Sequence, residues 1–128
     1  MRLARVGDRP VLVVEDGIVD VARAGGGRFG GDPMAPFIDW RGFAEWAAGI
    51  EHTEEPVGDR LLQNPIPHPT QVFGIGANYH AHIAEAGAAA PEAPLVFTKF
   101  PSCLSGPFDP IPVPTGTVDW EVECAGYC

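Results

Sequence analysis

QVFGIGANYHAHIAEAGAAAPEAPLVFTKFPSCLSGPFDPIPVPTGTVDWEVE, residues 71–123, holds most of the chemically capable side chains of this chain. Gln71 to Gly76 reads as a buried strand whose glycines let another backbone or a substrate come close. Asn78 can cap a short helix from Tyr79 to about Ala86, and Gly87 can end it. On that helix His82 and Glu85 stand at i and i+3 and face one side. By spacing alone they are an ordinary surface pair. His80 points elsewhere and is expected to be exposed. Ala86 to Pro94 is a small-residue loop, after which Leu95-Val96-Phe97 forms a second apolar run with Lys99 at its end. Pro107 to Pro114 carries four prolines, so it cannot be a central strand. Asp119 to Glu123 regains strand character. There Glu121 and Glu123 would project from one face, ~6.5–7 Å apart along the chain. Such a pair is either a solvated strand face or two oxygen donors for a hard divalent cation.

Upstream, Arg2 to Val6 alternates polar and apolar residues as a half-buried strand does. Val11 to Val14 and Ile18 to Val21 are mainly apolar runs separated by Glu15-Asp16-Gly17, a strong hairpin signal. A small antiparallel sheet is the expected result. Gly25 to Gly31 lacks the Lys-Ser/Thr of a phosphate loop and reads as a flexible linker. Asp39 to Ile50 reads as a helix capped by Asp39, with Phe43, Trp46, Ala47 and Ile50 on one stripe that docks on the sheet. His52 beyond it is expected in solvent. Pro65-Ile66-Pro67-His68-Pro69 is a stiff, extended connector, with His68 a loop residue. The division that follows is a small N-terminal domain over 1–64, a Pro-rich connector over 65–70 and a second unit over 71–128. The class is α+β, mainly β.

A formal net charge of −9 argues against nucleic acid and anionic membranes as partners, since both need a basic surface. No apolar run approaches the ~20 residues of a membrane helix. The N-terminal Met1-Arg2-Leu3-Ala4-Arg5 lacks the apolar core of a signal peptide, so a cytoplasmic location is expected. Hydrophobic residues at 45% and charged residues at 20% suit a globular chain, and 16 Gly with 14 Pro favour turns and short strands. Cys103, Cys124 and Cys128 form no disulfide framework, and their spacing is poor for a zinc site.

Taken in order, Gly74-Ile75-Gly76-Ala77-Asn78-Tyr79, His82 with Glu85, Pro94-Leu95-Val96-Phe97-Thr98-Lys99 and Asp119-Trp120-Glu121-Val122-Glu123 resemble the fumarylacetoacetate hydrolase family, specifically its smaller bacterial-type members. The opening of the chain is similar to the small N-terminal domain of such members. The resemblance implies a hairpin-and-helix N-terminal domain followed by the beginning of a catalytic domain built on a mixed β-roll. It also implies a homodimer and a Mg²⁺- or Mn²⁺-dependent enzyme acting on small β-diketo or 2-keto acids. The family's reactions are hydrolytic C–C cleavage, decarboxylation and enol–keto isomerisation. By the same resemblance Glu121 and Glu123 are metal ligands, His82 and Glu85 are a dyad that activates water, and Lys99 stabilises negative charge. The family's third metal ligand, an Asp, and a further lysine would follow residue 128. The 128-residue chain is therefore expected to be catalytically dead or very weak and prone to aggregate. The alternative is a non-catalytic remnant that pairs with a partner through exposed strand edges.

Overall fold

A computed structural model describes residues 1–15, 17–51, 56 and 62–126. Three short strands open the chain: β1 (Leu3–Val6), β2 (Arg9–Val14) and β3 (Gly17–Asp20). They form an antiparallel sheet in the order β1-β2-β3, with Val6 opposite Arg9 and Val14 opposite Gly17. Between β1 and β2 only Gly7 and Asp8 are left for the loop. Gly7 supplies the positive φ, 59°, that a two-residue hairpin needs at its first loop position. The second hairpin falls where Glu15-Asp16-Gly17 places it, although Asp16 itself lies outside the described residues.

Successive side chains on these strands point to opposite faces, and both faces are apolar. Leu12 and Val19 join Val21, Phe29, Phe43 and Ala47 in one buried cluster, while Ala4, Val11 and Ile18 form another on which Val6, Val13 and Leu62 pack. Asp20 closes β3 and caps α1 (Val21–Ala24), accepting from the Arg23 N–H at 2.9 Å while Arg9 Nη1 reaches its other oxygen at 2.6 Å. One buried carboxylate thus ties the strand end, the helix start and β2 together.

The glycine-rich stretch after α1 is not a linker. Gly26 N–H bonds Arg23 O and Gly27 N–H bonds Ala22 O, so the helix ends in a Schellman turn with Gly26 at φ 59°. Arg28 then bonds Gly25 O, and Gly30 bonds Gly27 O. These glycines coil the chain tightly enough to drive Phe29 into the core. Its ring meets Phe43 edge-on at 5.3 Å and Trp46 at 5.0 Å. Burying that one side chain is worth about 1.5–3 kcal/mol, which offsets part of the backbone freedom a linker would keep.

α2 (Trp40–Ala47) is the expected helix, capped by Asp39 Oδ1, which accepts from Gly42 N–H at 3.0 Å. Phe43 and Ala47 are buried, with Trp46 and Ile50 packed beside them, so the stripe docks on the sheet. His52 lies outside the described residues. Gln63 returns to β1 and exchanges backbone hydrogen bonds with Arg5 at 2.8 and 3.2 Å.

Among the described residues the second sheet has two strands, β4 (Val72–Gly76) antiparallel to β5 (Leu95–Lys99), with Gly74 opposite Phe97. β4 is a strand, but it is not the buried strand expected: Gly74 is its one buried residue, and Phe73 is 55% exposed. A lone ribbon has no second layer to cover its faces. Ala77, at φ 50°, turns the chain into α3 (His80–Glu85). Asn78 does not cap that helix; Tyr79 occupies the cap position and makes no side-chain cap bond. Gly87 ends it as expected, in a Schellman turn closed by Ala88 N–H on Ile83 O. Asp119 to Glu123 is exposed and is not a strand, because no described segment pairs with it. No described helix is long and apolar enough to cross a membrane.

Candidate functional site

α3 is the element on which the site is built. Its start is set by the turn at Ala77 and its end by Gly87, leaving a helix of fewer than two turns anchored by Ile83, the one buried side chain it has. His82 stands on its exposed side. The Nε2 atom of His82 lies 3.9 Å from Glu121 Oε1, with the imidazole 54% and the carboxylate 69% exposed. That separation is beyond direct hydrogen bonding but within reach of charge attraction or one bridging water. A second contact lies beside it. The N–H of Cys124 donates to the Tyr79 hydroxyl at 3.1 Å. Two residues of the helix segment thus meet two residues of the acidic segment.

The other site candidates stand apart from this pair. Glu85 ends α3 and is exposed; the carboxylate in ion-pair range of His82 is that of Glu121. Lys99 closes β5 opposite Val72, and its Nζ lies 5.8 Å from the centre of the Phe97 ring. Glu123 is exposed on irregular backbone. Among the described residues no three His, Cys, Asp or Glu side chains converge on a point that could hold a metal ion. A hard divalent cation takes six or more oxygens, so Glu121 and Glu123 here do not by themselves fit one. The thiols of Cys103 and Cys124 are free and exposed, and they join no such cluster among the described residues; Cys128 lies outside them.

Chemically, the arrangement offers a solvent-reachable imidazole with a carboxylate alongside it. Such a base can take a proton and have its cation stabilised by the neighbouring charge. Ile75, Gly76, Asn78, His80, Ile83 and Pro94 line part of a shallow cavity of about 270 Å³, which neither His82 nor Glu121 lines. Sequence reasoning read Tyr79 as a helix residue and gave it no partner. Its bond to Cys124 spans 45 residues, and no local pattern signals a contact of that range.

Residues 71–127 match the family model described as fumarylacetoacetate (FAA) hydrolase C-terminal. A Burkholderia cenocepacia protein provisionally named a hydrolase is 48% identical over 68 residues, which is 52% of this chain and 24% of that protein. The mitochondrial oxaloacetate tautomerase of Xenopus laevis is 43% identical over 66 residues, 50% of this chain and 21% of the tautomerase. A crystal structure of a protein from Mycobacterium smegmatis, provisionally described as HpcE, superposes with a TM-score of 0.73 at 39% identity, covering 91% of this chain and 42% of that one. The chain spans about a quarter of the length of the curated relatives and less than half of the solved structure. The structural likeness takes in nearly all of the chain and the family match takes in its chemically richest part: residues 71–127 belong to the fumarylacetoacetate hydrolase family.

Proposed function

We propose that this chain carries the proton-transfer portion of an enzyme acting on 2-keto or β-diketo acids, by enol–keto isomerisation or by hydrolysis of an acylpyruvate-type C–C bond. The observation behind it is the approach of His82 to Glu121 at 3.9 Å. It brings the His82–Glu85 motif to the Glu121–Glu123 pair, and relatives named as hydrolases and as an oxaloacetate tautomerase support the reaction class. In isomerisation the neutral imidazole of His82 removes a proton from the carbon beside the 2-oxo group. The C–H electron pair forms the C=C bond, the carbonyl π pair moves onto its oxygen, and the same proton returns to that oxygen to give the enol. In hydrolysis His82 takes a proton from water, and the hydroxide adds to the distal carbonyl. The C–C bond then breaks toward the keto-acid side, leaving an enolate that regains the proton. In both, a carboxylate beside the imidazolium lowers the cost of its charge. Glu121 stands in that place here, Glu85 follows on the same helix, and Lys99 is a candidate to face the enolate.

Dependence on Mg²⁺ or Mn²⁺ is part of this reading, with Glu121 and Glu123 as two of the donors and the others outside the described residues. So are a homodimer, a cytoplasmic setting, a rolled mixed sheet and the division at 1–64, 65–70 and 71–128. The two sheets share no strand, which supports the division. The test follows loss of enol absorbance with oxaloacetate and an acylpyruvate, comparing the 128-residue chain with His82→Ala. The expected rate is small, because the site's two contacts are exposed, and it falls to the solution background in the variant. A rate that survives His82→Ala overturns the assignment. No rate from either protein favours a second reading, a non-catalytic partner-binding piece, for which the exposure of Phe73, Leu95, Val96 and Phe97 is the specific observation.

A further inference from the structure

The reaction above leaves Tyr79 without a task, yet the family-like motif Gly74 to Tyr79 ends on it. Tyr79 sits at the cap position of α3 in extended conformation, φ −119° and ψ 127°, and gives its helix no side-chain bond. Its hydroxyl instead accepts the Cys124 N–H at 3.1 Å. Three residues further along the chain from Tyr79 stands His82. Three residues before Cys124 stands Glu121, and these two meet at 3.9 Å. The contacts 79–124 and 82–121 therefore match in antiparallel order. One contact would leave the acidic segment free to pivot; two fix its direction and its register.

The remaining hydrogen bonds of residues 104–126 are local ones, Leu104 to Pro101, Gly106 with Asp109 and Trp120 with Asp119, among the described residues. No ladder holds the segment. We propose that Tyr79 is a positioning residue: its hydroxyl fixes Glu121-Val122-Glu123 in register against α3 so that Glu121 faces His82. The importance of that register rests on the function proposed above; the contact itself does not. The phenol's own proton is not consumed by this bond, so the hydroxyl can still donate to an oxygen brought to the site.

The test is amide hydrogen exchange by NMR on the ¹⁵N-labelled 128-residue chain and on Tyr79→Phe, which keeps the ring and removes the acceptor. The Cys124 amide is expected to exchange roughly two- to tenfold more slowly than its neighbours Val122 and Ala125, the range one net hydrogen bond gives. Tyr79→Phe abolishes that difference and shifts the His82 imidazole resonances, while the Ala88 amide at the end of α3 keeps its rate. If Ala88 also speeds up, the decisive variant is Cys124→Pro, which removes the donor and leaves Tyr79 in place. It is expected to shift the His82 resonances as Glu121→Gln does. Absent protection in the parent chain, protection that survives Tyr79→Phe, or His82 resonances unmoved by Cys124→Pro would each overturn the proposal. None of these readouts depends on turnover. A failed keto-acid assay with intact Tyr79-dependent protection would sink the function and leave the positioning role standing.

Discussion

Phe43→Ala is the substitution whose effect the structure defines best. Phe43 is fully buried at 0% exposure, edge-on to Phe29 at 5.3 Å and tilted against Trp40 and Trp46 at 5.7 Å. Truncating such a ring costs about 3–5 kcal/mol, lost transfer energy and residual cavity together. A unit of some 64 residues has only about 3–10 kcal/mol of stability to lose. The N-terminal sheet and α2 should therefore be close to unfolding in the variant. With a urea slope of about 1 kcal/mol per molar, the midpoint should fall by about 3 M or vanish. Tryptophan fluorescence reports it, since Trp40 and Trp46 flank Phe43 and Trp120 is 80% exposed and remote in sequence. Amide exchange on β4 and β5 should stay at its parent value, because those strands pair only with each other. A midpoint shift below about 1 M would refute the core assignment. Loss of β4–β5 protection along with the N-terminal transition would refute the division between the two units.

Four shorter expectations accompany it. Asp20→Ala removes a helix cap and the partner of Arg9 at once, and should lower unfolding free energy by about 1–2 kcal/mol, with Asp20→Asn losing less in the same urea titration. Gly74→Val places a Cβ against the Phe97 ring, closer than van der Waals contact; displacing that ring should weaken the ribbon by about 1 kcal/mol, seen as faster exchange of β4–β5 amides with the N-terminal urea transition unchanged. A double-mutant cycle on His82 and Glu121, read from Ala88 exchange, should give a coupling below about 1 kcal/mol because both side chains are more than half exposed, and it should disappear in about 1 M salt. Calorimetry with Mg²⁺ or Mn²⁺ should show no saturable binding tighter than about 1 mM; submillimolar binding that Glu121→Gln/Glu123→Gln abolishes would show that the donors do assemble.

The N-terminal half was legible where local chemistry decided the outcome. The Glu15-Asp16-Gly17 hairpin, the Asp39 cap and the Phe43/Trp46/Ala47/Ile50 stripe each follow from backbone preference and periodicity within a few residues. The glycine stretch was misread because composition says only that glycines permit many conformations. Choosing the coiled one needed Phe29's partners, Phe43 and Trp46, which lie well along the chain. In the second half the strands β4 and β5 were legible as apolar runs, but β4 is not buried as its sequence suggests. Alternation and β-branching say that a segment can pair; whether a further layer covers it is a property of the whole assembly. Asn78 lost the cap position because Ala77 takes the left-handed turn one residue earlier and delivers Tyr79 to it. Tyr79's bond to Cys124 is set by tertiary placement, so no reading of neighbours could reach it.

The energetic asymmetry between the halves bears directly on function. The N-terminal unit has two buried clusters and a charged cap that ties three elements together. The site half rests on a two-stranded ribbon, Ile83, one exposed hydrogen bond and one exposed ion pair. Ordering each residue of the 104–126 segment costs about 1–2 kcal/mol of backbone entropy, while its two long-range contacts return about 1 kcal/mol each at most. A base and its carboxylate must be held within about 0.5 Å of working geometry. Two such contacts select the right register but do not hold it that tightly. Phe108, Ile111, Trp120 and Val122 are largely exposed and Phe97 about half so, and covering them at about 25 cal/mol per Å² of apolar surface is the largest contribution this half can set against that entropy. Catalytic competence in this family member should therefore rise with burial of these side chains. His82 and Glu121 would supply the chemistry, and the apolar face around them would decide whether it runs.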